Sequence, residues 1–288
     1  MTNWEERITR DTAPSIRLEH VLRYAAAADV ARQSDLWCDL GCGSGVAAAA
    51  AFGAARPPAA LLVDLDESAA ADAAAELRIS DTTTLALDLA ERDELAKVRS
   101  AIAERASSNG CVTCFEVVEH LRAFAPVLEL LVELPHEHGC TVFLSVPNDA
   151  FTAVRNPFHE TAWGESSVEE LRAILPDHVL LEQVAIGGSA LRRPGEARQV
   201  ELRAEVPPAG VPTHFVLCFG PRAGEVALPV HSWPVDLDGQ RTWEREREAN
   251  LAYFRARAEA LERDLEDAAE RERESETPAS GPSTPPPA

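Results

Sequence analysis

The stretch Trp37-Cys38-Asp39-Leu40-Gly41-Cys42-Gly43-Ser44-Gly45 carries a short apolar strand into an acid and then into three glycines at alternate positions, and an alanine-rich helix follows from Val46. Glycines at a strand-to-helix junction allow a tight turn and let the backbone approach a ligand, the geometry of a nucleotide-type site at the carboxyl end of a strand. A dinucleotide loop, G-x-G-x-x-G/A, would need Gly or Ala where Val46 stands, and no Gly-Lys-Ser/Thr follows to make a P-loop. A second acidic strand end, Val63-Asp64-Leu65-Asp66, comes 19 residues after Gly45. An acid at that place can accept both hydroxyls of a ribose.

Outward from this loop, seven apolar strand candidates are predicted at 36–40, 60–65, 83–88, 111–115, 140–146, 179–186 and 213–219. Helical segments separate most of them: Val46 to Ala55, Glu67 to Arg78, Arg92 to Arg105, Pro126 to Leu134 and Ser167 to Leu175. Continuous apolar strands alternating with helices imply an α/β fold, a Rossmann-like, mainly parallel sheet with helices on both faces. The sixth and seventh strands are linked only by the Gly- and Pro-rich stretch 187–212, which suits an antiparallel pair at the sheet edge or a loop over the site. Ahead of the sheet, Ser15 to Ala31 reads as a cap helix with Leu18, Val21, Leu22 and Ala25 on one face, where Arg17, His20 and Tyr24 also align.

The expected organisation is a helical cap over 1–34, the main domain over 35–220, a Pro/Gly-punctuated connector over 221–240, a charged helix over 241–274 and a disordered tail over 275–288. In the charged helix Leu251, Phe254, Ala258, Leu261, Leu265 and Ala268 form a heptad stripe, suited to a coiled-coil homodimer, a partner helix or packing back on the core.

The chain has 288 residues, enough for one full core with extensions. Its formal charge is −21, with 48 acidic residues against 27 basic ones, and Lys97 is the only lysine. General nucleic-acid binding is therefore disfavoured, because it draws on Lys and Arg neutralising phosphates. No apolar run approaches a membrane span and the first ten residues lack a signal-peptide core, so a cytoplasmic protein is expected. Cys111-x-x-Cys114 resembles a metal or redox pair, but an odd offset along a strand sends the two side chains to opposite faces.

With its glycine loop, second acid and seven strands, the chain resembles the class I S-adenosylmethionine-dependent methyltransferases over about residues 15–220. Asp39 to Gly45 looks like that family's first motif and Val63-Asp64 like its second. The resemblance implies S-adenosylmethionine as cofactor, with Asp39, Gly41, Gly43 and Gly45 around the methionine portion, Asp64 on the ribose, Asp88 and Leu89 at the adenine, and Glu116 closing the pocket.

After the fourth strand comes Phe115-Glu116-Val117-Val118-Glu119-His120-Leu121. If it turns helical, Glu116, Glu119 and His120 share one face, and two carboxylates beside an imidazole can raise and orient a general base or bind a divalent cation. Further on, Asn156-Pro157-Phe158-His159 brings a second histidine. Together with Arg17 to Tyr24, these segments resemble a methyltransferase subgroup often linked to glycan and small-molecule pathways, which implies O-methylation of a sugar or other small acceptor. His120 or His159 is then the candidate base. The Glu-x-x-Glu-His pattern with a later histidine is also that of the metal-dependent RNA 3′-end methyltransferases, which would make Glu116, Glu119, His120 and His159 ligands to Mg²⁺ or Mn²⁺. The third expectation is a non-catalytic cofactor-binding scaffold whose coiled-coil helix recruits a partner. An oxidoreductase is disfavoured by Val46.

Overall fold

In the computed structural model, residues 7–226 are described except 13, 107, 152–155, 157, 176 and 184–211, together with Arg263. The chain divides into two compact units, Met1–Val235 and Asp236–Ala288, and the first is described below. The link 187–212 except Pro212, nearly all of the charged helix with its 251–268 stripe, and the tail lie outside the described residues.

Seven strands, β1 (Leu36–Leu40), β2 (Ala59–Asp64), β3 (Asp81–Ala86), β4 (Gly110–Phe115), β5 (Thr141–Pro147), β6 (His178–Gln183) and β7 (His214–Phe219), form one sheet of order β3-β2-β1-β4-β5-β7-β6. The first five run parallel, and β7 inserts antiparallel between β5 and β6. Six α-helices accompany them: α1 (Pro14–Arg32), α2 (Val46–Phe52), α3 (Glu67–Leu77), α4 (Arg92–Arg105), α5 (Ala125–His138) and α6 (Glu165–Ile174). Among the described residues no helix is long and apolar enough to cross a membrane.

β1, β2, β4 and β5 are buried at every position, as unbroken apolar runs require when helices cover both faces. The period of two divides their side chains between two cores. Leu36, Cys38 and Leu40 pack with α4 and α5 through Val98, Ile102, Leu131 and Leu134. Trp37 faces the other way, onto Tyr24 of α1, Phe52 of α2 and Leu77 of α3. Cys111 and Cys114 fall in opposite cores, and all six cysteines are free and buried.

Several element bounds differ from the sequence reading, and three departures have a clear local cause. β3 begins at Asp81 rather than 83, because this edge strand is defined by its register with β2, Asp81 opposite Ala59, and its side chains are half exposed. α5 continues through Pro135 to His138, and Gly139, with φ of 61°, closes it in the left-handed region. The largest change follows β4. The helical face expected from Glu116 does not form: Glu116 itself has φ of 56°, and only Val118–His120 makes a single 3₁₀ turn.

Candidate active site

The strand order reverses between β1 and β4, so the loops leaving those strands flank a crevice at the carboxyl edge of the sheet. The glycine loop leaves β1 with Gly41, Gly43 and Gly45 at φ of 77°, 53° and 71°. Two of the three are required by packing. A Cβ on Gly41 would lie 2.4 Å from Val117 Cγ2, and one on Gly45 would lie 2.8 Å from Ala73 Cα, in the backbone of α3. Gly43 differs: its nearest neighbour would be Arg7 Cγ at 3.6 Å, so it is the glycine whose surroundings leave room for a ligand.

Asp64, at the end of β2, accepts from Gly43 N at 2.9 Å through Oδ2 and from Asp66 N at 3.0 Å through Oδ1. The Arg7 guanidinium lies 3.3 Å from Oδ1 and 3.0 Å from Asp66 Oδ2. Ser44 Oγ donates to Ile8 O at 2.5 Å, so the segment around Arg7 lies along the glycine loop. A carboxylate oxygen has two acceptor positions. Asp64 therefore retains one on Oδ2, and the ribose diol expected there needs that position together with the one Arg7 holds. With Gly43 open and Asp64 at the rim, these residues fit the nucleoside half of S-adenosylmethionine.

Asp39 is placed differently from a ligand-facing acid. It is fully buried, with Oδ2 accepting from Tyr24 OH at 2.9 Å and Oδ1 from Thr113 Oγ1 at 2.6 Å. Both donors brace the strand end, so any influence of Asp39 on a methionine amine acts through its charge. Burial, only partly offset by the two hydroxyls, pushes its pKa from 3.8 up to about 7. A carboxyl whose folded pKa is raised adds stability below its unfolded pKa and loses it as pH rises through the folded one. Melting curves of Asp39→Asn are therefore expected to fall less than those of the parent between about pH 4 and about 7, and parallel slopes would remove Asp39 as the titrating group. At the expected adenine position, Leu89 is buried, while Asp88 turns Oδ1 back to Ala90 N at 2.9 Å and donates its own N–H to Glu94.

A second cluster is built by the turn after β4 and the loop after β5. Glu119 O accepts from Glu160 N at 2.8 Å and Thr161 N at 3.2 Å, and His120 Nδ1 is 3.1 Å from Phe158 O. These bonds bring Glu119, His120 and His159 together: each offers one ligand atom, and the atoms lie within 4.8 Å of one another. A carbonyl only accepts, so His120 Nδ1 carries the proton and Nε2 a lone pair. Glu119 is fully buried, yet neither carboxylate oxygen has a hydrogen-bond partner among the described residues. Burial, reinforced by the charge of Glu116, holds its pKa well above the usual carboxylate range. An orphaned buried carboxylate is costly, and a cation beside two imidazoles would satisfy it. One carboxylate and two ring nitrogens suit Mn²⁺ and its neighbours better than Mg²⁺, which takes oxygen ligands.

Glu116 does not join that trio. Its left-handed backbone turns the side chain so that Oε1 accepts from Ser145 Oγ at 2.7 Å and Oε2 lies 3.2 Å from His214 Nε2. Burial alone would raise its pKa, but the charge of Arg23 and the His214 ring outweigh it and hold the carboxylate ionised. His20 of the cap helix belongs to the same group, with a pKa lowered to about 3 by burial and then by Arg23. Arg23 is 2% exposed and donates Nη1 to Gln183 Oε1 at 3.0 Å. Glu116, expected as a fourth member of the cluster, thus lies apart from Glu119, His120 and His159.

Arg7, Arg23, His214 and Asp149 were missed by reading the sequence. Arg7, Arg23 and His214 meet the site from remote elements, while Asp149 meets His159 from the exit of β5, ten residues earlier.

No family model and no curated protein matches the chain. Among solved structures it is similar to the small RNA methyltransferase HEN1, at 18% identity and a TM-score of 0.49, over 76% of this chain; it spans only 28% of that one. It is also similar to the methyltransferase domain of bacterial CtHen1, at 17% identity and a TM-score of 0.48, over 70% of this chain and 99% of that one. A third similarity is to the N-methyltransferase NodS from Bradyrhizobium japonicum WM9, at 13% identity and a TM-score of 0.43, over 73% of this chain and 97% of that one.

Proposed function

We propose that this chain is an S-adenosylmethionine-dependent methyltransferase that transfers the methyl group to a hydroxyl of a sugar or other small acceptor, with a divalent cation at Glu119, His120 and His159. The observation that carries this reading is the convergence of the buried, unpartnered Glu119 carboxylate with two histidines. Glu119 and His120 follow β4, one strand over from the glycine loop on β1, and His159 follows β5. Methyl transfer is an in-line displacement, so the residues have to align the acceptor oxygen, take up or share its proton and exclude water. A bound cation supplies the positive charge that favours loss of that proton. Glu119, His120 and His159 would hold the cation, and Gly43 and Asp64 would hold the cofactor.

The same trio favours a second reading, transfer to the 2′-hydroxyl at an RNA 3′ end, where a cis-diol can meet a cation. The charge of −21 opposes it. The deciding experiment measures S-adenosylhomocysteine release after chelation, with Mn²⁺ or Mg²⁺ restored, against hydroxylated sugars and against a short single-stranded RNA. Cation-dependent turnover with a sugar supports the first reading, and turnover confined to RNA supports the second. No calorimetric binding of S-adenosylmethionine or S-adenosylhomocysteine would leave the non-catalytic scaffold.

A further inference from the structure

His159 can act on a cation or an acceptor only through a ring nitrogen that carries a lone pair, and the hydrogen bonds around it determine which nitrogen that is. Phe158 N–H donates to Asn156 Oδ1 at 3.0 Å, which orients the amide and leaves Asn156 Nδ2 as a donor, 3.0 Å from His159 Nε2. Nε2 therefore accepts, and the proton is on Nδ1. Nδ1 lies 2.9 Å from Asp149 Oδ1, while Asp149 Oδ2 accepts from Trp163 N at 2.7 Å and Asp149 N donates to Trp163 O at 2.9 Å. The side chains of His159 and Asp149 are only 12% and 18% exposed, so solvent competes little with this arrangement.

We infer that Asp149, at the exit of β5, is a positioning residue that holds His159 in the Nδ1–H tautomer with its Nε2 lone pair available to the site. The inference rests on the reading of Glu119, His120 and His159 as the working trio. Two ring nitrogens are then presented by the same device, a backbone carbonyl behind His120 and a carboxylate behind His159. Such an outer partner fixes the orientation of the ring. Asp149 holds the ring from one side and the entry to α6 from the other, through Trp163, so the loop that carries His159 is anchored at both ends. Asn156 donates to the lone pair and has to yield its hydrogen bond when another partner takes Nε2.

Substitution by Asn separates positioning from filling space. In Asp149→Asn the amide oxygen is needed by Trp163 N–H, which cannot change its role, so the amide NH₂ faces Nδ1 and the acceptor that holds the proton there is lost, while Asn156 still donates at Nε2; the ring then has no acceptor on either side and loses its tautomer preference. The test uses the full chain labelled with ¹⁵N-histidine, the His159 ring signals being assigned with His159→Gln, in mildly alkaline buffer. The parent is expected to show a protonated Nδ1 and an unprotonated Nε2, and Asp149→Asn a mixture of the two tautomers, with Mn²⁺ affinity lowered about 10–100-fold. An Nε2–H tautomer in the parent overturns the inference without any variant, even if Asp149→Asn fails to fold. So does an Asp149→Asn protein that keeps both the parent tautomer and the parent Mn²⁺ affinity. If the parent shows the inferred tautomer but binds no Mn²⁺, the cation reading falls and the role of Asp149 stands, because the ring signals need no metal.

Discussion

In Glu119→Gln, methyl transfer is expected to fall at least about 100-fold with S-adenosylhomocysteine affinity unchanged, and added Mn²⁺ should not restore it. A factor of 100 corresponds to about 2.7 kcal/mol, within the several kcal/mol that a cation's charge supplies at a developing anion. The substitution is isosteric and replaces a buried acid, whose ionised form is disfavoured by burial, with a neutral amide. The melting temperature of the cation-free protein should therefore hold or rise, since no hydrogen bond to the Glu119 oxygens is lost among the described residues. Loss of activity with retained stability is the signature of a functional acid. A variant that turns over normally in the presence of chelator would remove the trio from the reaction, and a large fall in melting temperature would make Glu119 structural.

The second large effect concerns the cofactor. Asp64→Ala is expected to weaken S-adenosylhomocysteine binding by about 1.5–3 kcal/mol, roughly 10–150-fold, the range for removing a charged hydrogen-bonding partner. Part of that loss comes through the loop, because Asp64 also accepts from Gly43 N and Asp66 N. Asp64→Asn keeps an oxygen for Gly43 N–H but sets its NH₂ against Asp66 N–H, so it preserves the bond to the glycine loop while removing the charge. Arg7→Ala is the companion variant: it removes the ion pair on Asp64 while leaving the acceptor, so affinity should not fall. Calorimetry on the three variants decides the matter, and unchanged affinity in Asp64→Ala would take that residue out of the cofactor site.

Sequence and structure agree most closely where one local pattern suffices. β1 and α4 occupy the predicted residues, because an unbroken apolar run between polar turns and a long helix-periodic segment each carry their own signal. They part where an outcome depends on a neighbour. β3 starts two residues early because β2 supplies its register, and Asp39 faces Tyr24 and Thr113 because α1 and β4 close over it. Glu116, Glu119 and His120 were legible as a chemically active cluster, but helical spacing was the wrong geometry. One left-handed residue sends Glu116 toward His214, and a backbone conformation of that kind has no signature in a glutamate.

By itself the sequence determined the alternation of strands and helices, the glycine loop and the acid that follows it, all consequences of short-range periodicity and of the conformations open to glycine. Tertiary structure decided that β7 enters between β5 and β6, that Arg7 lies on Asp64, and that Glu119 and His120 meet His159 across loops from two strands. Those outcomes depend on which backbone hydrogen bonds and which faces are left to be satisfied once the sheet has closed, and only the folded chain brings such groups within reach.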